Sequence, residues 1–221
     1  MGEPTGERRI LLQLPQMSTA FTLYDYLPSG NGYKVRLVLK QLGIPYRIVT
    51  LDITKGATRT PEFLTKNANG RIPLLEIEGH GYLPESHAII WYLAEGSRLV
   101  PSDRLERARV WQWLCFEQYN LEPNVATVRF WLRSLKKTPA ELGDRLTEKL
   151  EKGHQALGVL EQALTDREFL VGEAYSLADI GLYAYTHVAE EGGFPLERYP
   201  GIRAWLKRVA AQPGYAPITE P

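Results

Sequence analysis

The chain has 221 residues, 44% of them hydrophobic and 24% charged, with Lys+Arg 26 balancing Asp+Glu 26. Such a chain folds, and its zero net charge gives no overall field to draw in nucleic acid or an anionic membrane. No apolar run nears the roughly 20 residues of a bilayer span; the single cysteine, Cys115, excludes an internal disulfide framework or a CxxC pair, and His80, His87, His154 and His187 lack HxxxH or HExxH spacing, which argues against a metal site.

Residues 1–19 are polar and then briefly apolar (MGEPTGERR, ILLQLPQ) and read as a flexible extension or tag, without a secretory pattern. FTLYDY alternates as a strand, LPSGNG is a turn cluster, and KVRLVLKQLG carries a helical stripe that stops at Gly43. YRIVTLDI alternates again, so the chain opens as a βαβ unit with a parallel pair. Thr60-Pro61 starts a short helix, PEFLTKN. Two short strands, around Leu74–Ile77 and Tyr82–Leu83, flank a turn at Gly79, and Ser86 is placed to cap the helix HAIIWYLAEG.

Past residue 97 the pattern changes. Residues 98–104 read as a linker and 105–215 as helical, opening with one long aromatic helix, Leu105–Leu135. Cys115 sits in that helix and reads as a core thiol. Helical spacing returns over Glu141–Leu164, near Ser176 and from about Gly201 to Ala211, before a tail at 216–221. Ser176 with Asp179 three residues on is a capping box, a structural feature. The expected architecture is therefore a βαβαββα domain over 20–97 followed by an all-α domain.

Three places offer chemistry. In LPSGNGYK, Ser29 and Asn31 put a hydroxyl and an amide where a first strand hands over to its helix, the corner at which open α/β sheets collect ligands; taken alone, the residues read first as a plain turn and helix cap. In RIPLLE, Ile72-Pro73 stands just before a strand, either as an ordinary trans bond or as a cis bond leaving an edge free to pair with something extended. In PESHAII, Glu85 and Ser86 at a helix start suit an ammonium and a carboxylate, or form only a cap.

In combination, the βαβαββα order, the Ile72-Pro73 dipeptide, the Glu85-Ser86 pair and an all-helical second half with Ser176xxAsp179 resemble the cytosolic glutathione transferases over roughly residues 20–215. PSGNGYKV is most similar to the nu-class and Ure2-like branch, whose motif is TPNGxK. The resemblance implies a thioredoxin-like domain followed by an all-helical one, glutathione as co-substrate, no metal, a homodimer and a cytoplasmic detoxifying enzyme with no nucleic-acid or membrane partner. It implies that Ser29 and Asn31 contact the glutathione sulfur and that Pro73 is cis. It also implies that Ile72 pairs through its backbone, that Glu85 and Ser86 hold the γ-glutamyl end, and that Thr58 makes a polar contact. Lys55, Arg59 and Arg71 are candidate partners for the glycyl carboxylate. Phe116, Tyr119 and Arg129 are candidates for the second-substrate pocket.

The sequence departs from the branch at Gly30, where the motif has proline, which suggests a more mobile loop. Tyr24 and Tyr26 lie near, but not at, the position of the tyrosine used by the mammalian-type enzymes. The implied function is thiol activation for attack on an electrophile or a disulfide, with reductase or peroxidase activity as side reactions. The alternative is a non-catalytic module of the same fold used for dimerisation or regulation.

Overall fold

The computed structural model describes residues 20–221, so the extension read at 1–19 lies outside the described residues. Four strands form one mixed sheet of order β2-β1-β3-β4: β1 is Phe21–Asp25, β2 Tyr46–Thr50, β3 Leu74–Ile77 and β4 Gly81–Pro84. β1 pairs in parallel with β2, as a strand–helix–strand crossover requires, and antiparallel with β3. The register sets Leu23 opposite both Ile48 and Leu75, so the fully buried Leu23 and Leu75 share one face of the sheet. Helices α1 (Gly30–Gln41), α2 (Pro61–Lys66) and α3 (Ser86–Ala94) complete the expected mixed domain.

α1 begins earlier than its apolar stripe suggests. Gly30, Asn31 and Gly32, read as turn residues, form its first turn, and the Ser29 hydroxyl caps it by accepting the Gly32 N–H at 3.4 Å. Gly32 is required by space rather than by torsion: a Cβ there would lie 1.6 Å from Asp25 Oδ1. All of α1 except Asn31 and Lys40 is buried, so its charged side chains need partners. Arg36 pairs with Asp25 at 2.9 Å and donates to the carbonyls of Leu27 and Ile218. Residues 216–221, read as a tail, thus dock on α1, and Tyr33 donates to the Ala216 carbonyl at 2.6 Å.

The second half is helical, as expected. α4 (Arg104–Phe116) passes without a break into a wide, π-wound segment Glu117–Ala126, then α5 (Thr127–Arg129) and a second wide segment Phe130–Ser134. The single long helix read from the sequence is therefore one rod with two changes of pitch. Pro123 lies inside the first wide segment, where its missing N–H removes one rung of a regular helix. α6 (Pro139–Leu142), α7 (Asp144–Leu164), α8 (Leu177–Thr186) and α9 (Pro200–Ala210) follow. Every residue of α8 is buried, and its capping box is formed: Asp179 accepts from the Ser176 N–H at 2.9 Å and, beyond the box, from the Trp205 indole at 2.8 Å.

Cys115 is exposed, contrary to the core reading. The buried positions of α4 are Val110, Trp113 and Leu114, and one residue further the helix has turned its side chain outward.

His187, just after α8, titrates in a useful range. Its Nδ1–H donates to the Tyr183 carbonyl at 2.8 Å and its ring stacks on Tyr183 with centroids 4.6 Å apart. Nε2 is buried without a partner among the described residues, and burial holds the imidazole pKa down to about 4. The unfolded chain takes up this proton near pH ~6.5 whereas the native state resists until about 4. Stability contributed by neutral His187 is therefore present above ~6.5 and lost as pH falls toward 4, amounting to roughly 3 kcal/mol. Urea titrations across this range are expected to show a shallower acid slope for His187→Leu; equal slopes would refute the assignment.

Candidate functional site

Above the corner where β1 turns into α1 lies a cleft of about 430 Å³. The first domain lines it with Tyr26, Ser29, Asn31, Thr58 and Ile72, and the helical domain with Glu122, Arg129, Phe130 and Tyr185. A smaller polar recess of about 40 Å³ shares Asn31, Arg71, Ile72 and Glu122 with the cleft and is walled by Pro73, Glu85 and Ser86. Eight of the ten site residues read from the sequence thus border one connected space. The Ile72–Pro73 peptide is cis.

The local geometry at the recess differs from the reading of Ser86 as a cap. Ser86 is the first residue of α3, Glu85 occupies the cap position at φ +71°, and no side chain caps the helix. The Ser86 hydroxyl turns away to donate to Asn31 Oδ1 at 3.3 Å. The start of α3 therefore faces the recess with uncapped amides, a setting that favours an anion. Glu85, held at a positive φ uncommon for a non-glycine residue, marks this turn as locally strained.

Of the candidate cations, Arg59 and Arg71 line the cleft beside the buried Thr58. Lys55 is 82% exposed and pairs with Asp52. Arg129 is neither a free surface arginine nor a free cleft cation. It is buried, lies 2.9 Å from Glu191, and donates to the Pro28 carbonyl at 2.8 Å, tying the helical domain to the loop that carries Ser29.

Phe116 and Tyr119 do not line the cleft. Phe116 packs edge-on against Trp113, with centroids 5.4 Å apart, and Tyr119 is 85% exposed. The pitch changes from Glu117 onward, and the residues that turn inward include Glu122, Ala126 and Phe130. Tyr26 lines the cleft whereas Tyr24 donates to Glu76 at 2.9 Å and packs on Phe63. Glu122, Phe130 and Tyr185 were not legible as site residues: each sits in a helical pattern that reads as core or surface.

Beneath the cleft, Lys34 and Glu117 form an ion pair at 2.9 Å with both side chains 0% exposed. His87 Nε2 is 3.2 Å from each of them. Burial pushes the Glu117 carboxyl up, but Lys34 and His87 outweigh it and hold it below its ordinary value, so it is ionised. Burial, then the Lys34 ammonium, push His87 down, so it is neutral. Lys34 also donates to Asn31 Oδ1 at 2.8 Å, and Asn31 Nδ2 donates to Glu122 at 3.2 Å. Burial, then the charge of Glu117, raise the Glu122 carboxyl. Asn31 is thereby oriented, its oxygen doubly satisfied and one of its two amide hydrogens taken by Glu122.

Comparison with known proteins gives a consistent picture. Residues 19–95 match the family described as glutathione S-transferase, N-terminal domain, and residues 128–213 match glutathione S-transferase, C-terminal domain. The chain is 29% identical over 195 residues to the disulfide-bond oxidoreductase YfcG of Escherichia coli, covering 85% of this chain and 89% of that protein. A glutathione S-transferase crystal structure from Pseudomonas fluorescens superposes with a TM-score of 0.88 at 46% identity, covering 90% of this chain and 99% of the other. The glutathione transferase URE2P6 of Phanerochaete chrysosporium, in complex with oxidized glutathione, superposes at 0.78 with 30% identity, covering 89% and 93%.

The buried ion pair gives a test that needs no ligand. Lys34→Met leaves the Glu117 carboxylate uncompensated and is expected to lower unfolding free energy by about 3–5 kcal/mol in urea. Adding Glu117→Leu removes the stranded charge and is expected to restore most of that loss. If the double variant were no more stable than the single one, the pair would not be the source of the loss.

Proposed function

The chain belongs to the glutathione S-transferase family, and on that premise we propose that it activates the thiol of glutathione for attack on a small electrophile or a disulfide. The observation that carries this reading is the convergence on one cleft of a hydroxyl at the start of α1 (Ser29), an oriented amide (Asn31) and the edge at Ile72–Pro73. A recess formed by Glu85, Ser86 and the uncapped start of α3 adjoins them.

The chemistry follows from magnitudes. A free thiol has a pKa of ~8.5, so only a few per cent is thiolate at neutral pH. Making most of it anionic requires a shift of about 2 units, or roughly 2.7 kcal/mol. A hydrogen bond to a charged acceptor contributes ~1.5–3 kcal/mol, and a helix N-terminus ~0.3–1 kcal/mol. Ser29, the second amide hydrogen of Asn31 and the start of α1 together reach the required sum with neutral donors. Glu122 opposes ionisation of a nearby thiol when it is itself charged; burial, then the charge of Glu117, shift it toward its neutral form.

In this reading Glu85 takes the α-ammonium of the γ-glutamyl unit, and the Ser86 N–H with the following α3 amides takes its carboxylate. The Ile72 backbone pairs with the cysteinyl unit, and Thr58 with Arg59 or Arg71 holds the glycyl end. The sulfur lone pair then forms a bond to an electrophilic carbon while the leaving group departs with its electrons. Alternatively it bonds to one sulfur of a disulfide while the other leaves as thiolate. The second substrate enters on the side of Arg129 and Phe130. The similarity to a protein named as a disulfide-bond oxidoreductase supports the disulfide arm. Family membership supports a cytoplasmic homodimer with glutathione as co-substrate.

Ser29→Ala is expected to raise the thiol pKa of bound glutathione by roughly 1–2 units and to lower turnover of a chlorodinitrobenzene-type electrophile at pH 6.5 about tenfold or more. Thiolate absorbance and initial rates measure the two effects, and no change in either would remove Ser29 from the mechanism. Failure of the unaltered protein to bind millimolar glutathione would instead favour a non-catalytic module.

A further inference from the structure

The helical domain contributes Ala126, Thr127, Arg129, Phe130 and Ser134 to the cleft, from α5 and the wide turns on either side of it. Arg129 is the charged member of this run, and its guanidinium is fixed from two directions. Nε lies 2.9 Å from Glu191 Oε2, and Nη1 donates to the Pro28 carbonyl at 2.8 Å, one residue from Ser29. Nη2 has no partner among the described residues, although Arg129 is only 6% exposed. That nitrogen is not sealed from solvent, so its hydrogens are left to the space the residue lines. A planar guanidinium held at two corners keeps the third aimed.

Charge does not balance at this spot. Glu191 arrives on a short turn, Ala189–Gly192, that docks directly on α5: a Cβ on Gly192 would lie 3.2 Å from the Arg129 backbone nitrogen. The same Glu191 Oε2 lies 2.7 Å from Nε of Arg133, whose side chain is 56% exposed. Two guanidiniums thus share one carboxylate, which leaves one positive charge over. Glu122, the carboxylate among the residues lining the cleft, is already engaged by the side-chain amides of Asn31 and Gln118.

The proposed function already places both carboxylates of glutathione, one at the start of α3 and one beside Thr58 with Arg59 or Arg71. Arg129 is the cation left over, next to the corner assigned to the sulfur. A charged donor withdrawn from water and short of an acceptor is costly, and an anion meets it best, because a hydrogen bond between two ions is roughly twice as strong as a neutral one. We propose that Arg129 selects the second substrate: its free Nη2, aimed by Glu191 and the Pro28 carbonyl, binds the carboxylate of an acidic electrophile or an acidic disulfide beside the glutathione sulfur. The inference rests on the proposed function and names the substrate class that site takes. Arg133, at the rim, adds attraction as such a substrate approaches.

Two substrate pairs that differ chiefly by a carboxylate read this selection: chlorodinitrobenzoate against chlorodinitrobenzene, and dithiodipropionate against hydroxyethyl disulfide. The ratio of kcat/KM for the acidic member over the neutral one divides out any general loss of activity, and the pair that is turned over tells electrophile from disulfide. Arg129→Met is expected to lower this ratio about tenfold or more, and Arg133→Gln about two- to threefold. Glu191→Gln removes the shared negative charge but keeps an acceptor oxygen, and is expected to raise the ratio about two- to threefold. Should Arg129→Met fail to fold, the opposite signs of the other two variants decide. An unchanged ratio in Arg129→Met, or a lowered one in Glu191→Gln, overturns the assignment and leaves the proposed function standing. A rise in the KM for glutathione with no change of ratio assigns Arg129 to the glycyl end and also overturns it. If the unaltered protein turned over neither pair, the parent reading would fall first and the selection with it.

Discussion

The structure depends on the burial of α1. A helix with one wet face can leave its charges in water, but α1 is enclosed by the sheet, α3, α8 and the C-terminal segment, and its Lys34 and Arg36 have no such exit. Each is matched by a carboxylate that is itself withdrawn from solvent: Arg36 by Asp25 at the end of β1, Lys34 by Glu117 at the bend of the α4 rod. The first pair fixes the corner between strand and helix. The second crosses from one domain to the other, so the two cannot slide without stranding a charge.

Much of the cleft follows from that arrangement. Lys34 grips the Asn31 side chain from below, Ser86 grips it from α3, and Glu122 receives its amide from the helical side. Asn31 thereby stands at the meeting point of three elements and is not a loose donor on a loop. Arg129 performs a related task on the neighbouring residue, holding the Pro28 carbonyl from the helical domain. The groups around this corner are held by packing and ion pairs prepared before any ligand arrives, which is what the proposed neutral-donor mechanism needs, since each hydrogen bond must be aimed to contribute its full strength.

The change of pitch in the α4 rod shows how a small backbone adjustment redirects side chains. Wide turns beginning at Glu117, with Pro123 among them, rotate later side chains relative to a regular helix. Glu122, Ala126 and Phe130 reach the cleft, while Tyr119, a natural candidate by aromatic character, points to solvent. A proline within a helical rod is tolerated because the wider winding reassigns the hydrogen bonds around the missing donor.

Strand and helix order, the central parallel pair, the Ser176–Asp179 box and the cleft residues contributed by Ser29, Asn31, Thr58, Ile72, Glu85 and Ser86 were all legible along the chain. They are carried by short-range signals: alternation, helical stripes, caps, and glycine or proline at turns. What the chain alone did not reveal is everything decided by contact across distance. Positions 30 and 32 must be glycine because Tyr185 and Asp25 occupy the space beside them; Ser86 faces Asn31 instead of capping its own helix; Cys115 is turned outward by one step of helical phase. Local patterns record which backbone a segment prefers, whereas the identity of the atom that will stand within 3 Å of it is set only when separately folded surfaces are pressed together, and no periodicity encodes that.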